Sequence, residues 1–197
     1  MVPVAAGSEQ ITRAMRALSA LFLVGVDGVT EILLVRHADC YDGITEIDDP
    51  PLSALGRDQA ARLAERMKRL KPKSVYTSPL RRAVETAKAL SDEVHVNPRL
   101  VEMDLVVGED GSLDMREAPD AVVERMRAVI DEIVEGHAGE RVVVVSHGAA
   151  IVAYLADVLN LEPGRLRMLP TYTSVSFVRA LGDRRMVGAM ADAAHLE

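Results

Sequence analysis

The sequence predicts an α/β protein, a three-layer α/β/α sandwich built around a mostly parallel central sheet. Three observations predict it. Short unbroken apolar runs, Ile32-Leu33-Leu34-Val35 and Val142-Val143-Val144-Val145, suit strands buried on both faces. Helix-periodic segments alternate with these runs, the pattern of β-α-β units. No repeat, low-complexity tract or linker divides the chain, and 197 residues allow one domain with modest additions. A content of 49% hydrophobic residues supports a full core and excludes disorder for the bulk of the chain.

In chain order, Ser8 reads as an N-cap followed by a helix to about residue 22, with Ile11, Met15, Leu18 and Phe22 on one stripe. Residues 1–30 form an extension whose stripe has two candidate partners, its own domain or a second copy in a homodimer. The catalytic-type domain is expected over 31–197. Its first strand covers 31–35, a helix 53–70 ends before Pro72, and a strand covers 74–77. A helix over 80–90 and a brief strand over 94–96 follow. Residues 99–118, with Gly108, Gly111 and several carboxylates, read as a long loop or small cap. Pro119 opens a helix to about 134. The Val-rich strand over 141–145 leads into a helix over 147–159, and two final strands over 173–179 and 184–189 join at Gly182-Asp183 as a hairpin.

Composition narrows the ligand. With 23 basic against 30 acidic residues the net charge is -7, unsuited to general binding of nucleic acid or an anionic membrane. Aromatics are 3%, too few for base-stacking platforms. An anionic ligand must therefore be met by a few placed cations. The apolar run over 17–26 is too short to span a bilayer, and no small-residue cleavage site follows it. The lone Cys40 makes no internal disulfide, and no Cys/His spacing suggests zinc, so a cytoplasmic protein without metal or organic cofactor is expected.

In open α/β sheets ligands bind beyond the carboxyl ends of the strands. Three predicted ends are chemically loaded. Residues 31–35 deliver Arg36-His37-Ala38-Asp39, residues 74–77 deliver Ser78-Pro79-Leu80-Arg81-Arg82, and residues 141–145 deliver Ser146-His147-Gly148. Two of the five histidines and up to three arginines thus converge on one sheet edge. Helix starts at Ser53, Leu80 and His147 are expected to add N–H groups for an anion.

Five stretches in order, Leu33-Leu-Val-Arg-His37, Leu52-Ser-Ala-Leu-Gly-Arg-Asp-Gln-Ala60, Tyr76-Thr-Ser-Pro-Leu-Arg-Arg-Ala-Val-Glu-Thr-Ala87, Arg99-Leu-Val-Glu102 and Val144-Val-Ser-His-Gly148, resemble the histidine phosphatase superfamily, the phosphoglycerate mutase-like fold. The resemblance implies that His37 accepts the phosphoryl group, that Arg36, Arg82 and His147 bind it, and that Glu102 donates and accepts the proton. Charge spreads over three equatorial oxygens during phosphoryl transfer, so forked, permanently charged arginines suit the task. His37 must attack as neutral imidazole, its other nitrogen donating to an acceptor such as a backbone carbonyl.

Alternatives remain at several positions. Arg81 rivals Arg82 as the phosphate clamp. Asp104, Glu109 and Asp110 share the loop of Glu102. Ser78 contacts phosphate or merely ends its strand, and the Leu52-to-Gly56 stretch reads as structural. The chain also departs from the family pattern: Ala38 replaces a glycine, Asp39 a glutamate and Gly43 an asparagine, and Val106-Val-Gly-Glu109 replaces a Trp-Glu-Gly segment. The leading expectation is a metal-independent phosphatase for a small-molecule phosphomonoester, or for a phosphorylated protein side chain if it acts on protein phosphohistidine. Rivals are mutase-type phosphotransfer and a non-catalytic phosphate-binding module. Five carboxylates, Asp39, Asp42, Glu46, Asp48 and Asp49, follow the nucleophile; lining the entrance, they would disfavour polyanionic leaving groups.

Overall fold

A computed structural model describes residues 8–41, 49–108 and 110–197. The chain folds as helix α1 (Ser8–Leu21), strand β1 (Thr30–Arg36), α2 (Ala54–Leu70), β2 (Ser74–Thr77), α3 (Arg81–Lys88), β3 (His95–Val96), β4 (Leu105–Val107), β5 (Leu113–Met115), α4 (Pro119–Gly136), β6 (Arg141–Ser146), α5 (Gly148–Val158), β7 (Val175–Leu181) and β8 (Arg184–Asp192). The six-stranded sheet has the order β3-β2-β6-β1-β7-β8. Strands β3, β2, β6 and β1 run parallel, and β7 and β8 are antiparallel additions.

The apolar runs are unbroken because both faces are covered. Ile32 and Leu34 of β1 pack with Val142 and Val144 against Val122, Met126, Ile130 and Ile133 of α4 and Ile151, Tyr154 and Leu155 of α5. Leu33 and Val35, pointing the other way, pack with Val143 and Val145 against Leu63 and Met67 of α2 and Ala83 and Ala87 of α3. These are the two outer layers of the predicted sandwich.

Boundaries moved where local bonding won over pattern. The strand expected from residue 173 starts at Val175, because Thr173 adopts a left-handed φ of 57° and turns its N–H to the Arg36 and His37 carbonyls. Strand β8 runs on to Asp192 along β7. The expected cap holds a 3-10 turn, Pro98–Leu100, and the β4–β5 hairpin. The predicted stripe of α1 forms, yet Ile11, Met15, Leu18 and Phe22 stay exposed. Arg184 secures the helix end by donating to the carbonyls of Ala20 and Leu21. No helix among the described residues is long and apolar enough to cross a membrane.

Candidate active site

His37 follows the last residue of β1 and is 5% exposed. Its Nδ1 lies 2.8 Å from the Ala38 carbonyl, which can only accept, so Nδ1 carries the proton. Its Nε2 is therefore the lone-pair nitrogen, and it accepts from Arg82 Nε at 3.3 Å. Burial above all, with help from the Arg82 and Arg36 charges, lowers the His37 pKa to about 3 against the raising effect of Ala38. The imidazole is neutral at ordinary pH.

The loop bearing it is fixed from two sides. Thr86 of α3 accepts from the Ala38 N–H at 2.9 Å and donates to the Arg82 carbonyl at 2.7 Å, tying the His37 loop to Arg82. Asp39 accepts from Ser53 Oγ at 2.5 Å, and Ser53 caps α2 by accepting from Gly56 N–H at 2.9 Å. A Cβ on Gly56 would lie 1.9 Å from the Asp39 carbonyl oxygen. The Leu52-to-Gly56 motif is thus structural, seating α2 against the nucleophile loop. Ala38, in place of the family's glycine, packs its methyl group with Leu52 and Ala60 and has no positive φ.

Around His37 the sheet edge gathers cations and donors. His147, fully buried after β6, stands 5.1 Å away ring to ring and bonds Ser78 Oγ through Nε2 at 2.8 Å. Burial, then the neighbouring His37 and arginines, lowers its pKa to about 2. Arg36 donates to the Pro170 carbonyl at 2.6 Å and stacks 4.1 Å above the Tyr172 ring. Arg36 Nε and His147 Nδ1 are buried with no hydrogen bond among the described residues. Arg36 Nε is an unmet donor, and His147 Nδ1 is a second one in the tautomer whose Nε2 accepts from Ser78 Oγ; beside a lone-pair nitrogen they suit an anion, since an unmet buried donor costs about 1–3 kcal/mol.

The two adjacent arginines divide. Arg82, with a side chain only 16% exposed, reaches His37 and Asp49. Arg81 turns outward, 57% exposed, into an i,i+4 bridge with Glu85, away from the His37 ring that Arg82 reaches. Glu102 settles at the start of α5, where Oε1 accepts from Met103 and Ala150 N–H at 2.9 and 3.0 Å and Oε2 from Ala149 N–H at 3.3 Å.

At the helix starts, side chains of the chain itself already take some of the N–H groups expected for an anion. Glu102 takes that of α5, Asp49 accepts from Arg81 N–H at α3, and Ser53 caps α2. Helix starts attract side-chain acids as readily as ligands. Of the five carboxylates after the nucleophile, Asp39 and Asp49 are engaged in these bonds; Asp42, Glu46 and Asp48, with Gly43, lie outside the described residues. Glu109, a rival to Glu102, lies outside them too, while Asp104 is exposed and Asp110 bonds Ser112. Cys40 is half-buried and its thiol pKa is pushed up by burial, so it is a poor nucleophile. Sequence reasoning missed Tyr172 and Thr86, neither of which stands at a strand end.

Among the described residues, Asp39, Asp49 and Glu102 are each held by donors and Arg36 and Arg82 line the centre, a set suited to an anion rather than a metal ion. The histidine phosphatase superfamily (branch 1) model matches residues 32–114 and 107–193. A probable phosphoglycerate mutase of Yersinia enterocolitica is 29% identical, covering 71% of this chain and 79% of the relative. A metal-independent phosphoserine phosphatase of Arabidopsis thaliana is 29% identical, covering 85% and 84%. The fold matches the crystal structure of Entamoeba histolytica phosphoserine phosphatase in complex with 3-phosphoglyceric acid, with a TM-score of 0.74, 21% identity and coverage of 85% and 100%. The chain belongs to the histidine phosphatase superfamily, branch 1.

Proposed function

We propose that this protein hydrolyses a small phosphomonoester, without a metal, through a phosphohistidine on Nε2 of His37. One observation carries the reading: the unprotonated Nε2 lies among Arg36, Arg82 and His147, with Arg36 Nε and His147 Nδ1 buried and without a hydrogen-bond partner among the described residues. Nε2 attacks phosphorus in line, Arg36 and Arg82 neutralise the equatorial oxygens, and His147 donates from Nδ1. Ser78 holds His147 through Nε2 and does not itself have to touch phosphate. Glu102 protonates the departing alkoxide and then takes a proton from the water that cleaves the N–P bond, restoring neutral His37. Arginine charge does what a metal would do elsewhere.

Hydrolysis is favoured over mutase chemistry because Arg116, the one cation of the 103–118 segment, is exposed and the cap is a short hairpin. In this reading the catalytic unit is 31–197 and the 1–30 extension stands outside it. The lone Cys40 fits a cytoplasmic setting. Turnover in 18O-labelled water with a chelator present tests the reading. Released phosphate should carry the label, and His37→Ala should release none. Transfer of phosphate between substrate hydroxyls without label uptake would identify a mutase, and tight oxyanion binding without turnover a binding module.

A further inference from the structure

The carbonyls that shape the Glu102 loop converge on a residue with no place in the chemistry so far. Arg125 of α4, its side chain 15% exposed, donates through Nη1 to the carbonyls of Arg99 at 2.7 Å and Val101 at 2.8 Å. Its Nη2 donates to the Glu102 carbonyl at 3.2 Å and to Glu117 Oε2 at 3.0 Å, and its Nε to Glu117 Oε1 at 2.7 Å. All five guanidinium donors are used, three on the segment that carries the acid. Glu117 closes the far side, accepting from the Asp104 N–H at 3.3 Å while its own N–H bonds the Asp104 carbonyl.

This clamp fixes where Glu102 can place its carboxylate. Oε1 already accepts two N–H bonds, filling both lone pairs, whereas Oε2 accepts one long bond. A proton on Oε1 would displace a backbone donor; one on Oε2 would not.

We propose that Arg125 is the positioning residue of the proton donor, holding the 99–102 backbone so that Oε2 of Glu102 is the atom that gives and takes the proton. The proposal rests on the reading of Glu102 as the acid. It does not make Arg125 a catalytic residue, since it touches only protein.

The test compares kcat/KM for p-nitrophenyl phosphate, whose leaving group needs little protonation, with that for glycerol 2-phosphate, whose alkoxide needs an acid. Arg125→Lys keeps the charge but loses the fork, and should lower kcat/KM for the glycerol ester about 100-fold and for the nitrophenyl ester less than about 3-fold. Glu117→Gln, which leaves Arg125 in place, should shift the ratio in the same direction by a smaller factor. Adding Arg125→Lys to Glu102→Gln should cost nothing further with the glycerol ester. Equal losses on both esters, or no loss, would overturn the positioning role. If Glu102→Gln itself spares the glycerol ester, the acid is elsewhere and the underlying reading falls. If Glu102→Gln discriminates between the esters and Arg125→Lys does not, only the inference about Arg125 falls.

Discussion

Arg82 donates its Nε–H to Nε2 of His37 at 3.3 Å, so its guanidinium occupies the lone pair that the proposed attack on phosphorus needs. Attack requires the guanidinium to pass from nitrogen to a phosphoryl oxygen, a short move for a group already in place. Arg82→Lys replaces a fork with a point charge and should lower kcat/KM about 100-fold or more. Arg81→Ala, removing an exposed i,i+4 partner of Glu85, should change it less than about 3-fold. Steady-state kinetics of both variants check the assignment; a larger loss at Arg81 would reverse it.

The buried histidines give stability a pH signature. Folding holds His37 and His147 neutral, with pKa values lowered to about 3 and about 2, whereas the unfolded chain protonates both near its ordinary value of 6.5. The unfolded state then binds more protons below that value. Stability is therefore fully present above about pH 6.5 and falls as pH drops toward 3, by at most about 1.4 kcal/mol per pH unit for each histidine. Denaturant unfolding of wild type and His147→Gln at several pH values checks this. The variant should lose stability less steeply below about pH 6, and parallel slopes would contradict it.

Gly56 is required by a close approach, not by its φ. Adding a Cβ 1.9 Å from the Asp39 carbonyl forces α2 away from the nucleophile loop, because neither backbone can yield alone. Gly56→Ala should cost about 3 kcal/mol, lower the Tm by roughly 6–12 °C and reduce kcat. Gly136→Ala, whose Cβ would meet nothing within 4 Å, should leave both unchanged or slightly raise stability. Thermal melts of the pair make the comparison.

Thr86→Val keeps the shape of the side chain and leaves the buried Ala38 N–H without its acceptor. The cost should be about 1–3 kcal/mol. Because the Ala38 carbonyl orients His37 Nδ1, kcat should fall about 10-fold as well. Thr86→Ser should recover most of both losses, measured by Tm and turnover.

The sheet was legible because β1 and β6 bury both faces and so carry unbroken apolar runs. The strand-end rule then located Arg36, His37, Ser78 and His147. Arg82 against Arg81 was not legible, since both lie at the start of one helix and only the packing of Ala83 and Ala87 on the sheet decides which turns inward. Tyr172 and Pro170 were out of reach for another reason: they meet Arg36 across more than 130 residues, through a loop whose Thr173 takes a left-handed turn that a β-branched residue rarely adopts. That Glu102 and Asp49 would bond two of the helix starts was not legible, because both acids come from elsewhere in the chain.

In the proposed mechanism phosphorus bonds to His37 Nε2 before it bonds to water. Rapid acid-free quenching of the enzyme with 32P-labelled aryl phosphate, followed by proteolysis and mass mapping, tests it directly. A base-stable, acid-labile phosphoryl group is expected on the peptide containing His37, absent from His37→Ala and formed no slower than turnover. Turnover with no label on that peptide, or label that survives in His37→Ala, would contradict it.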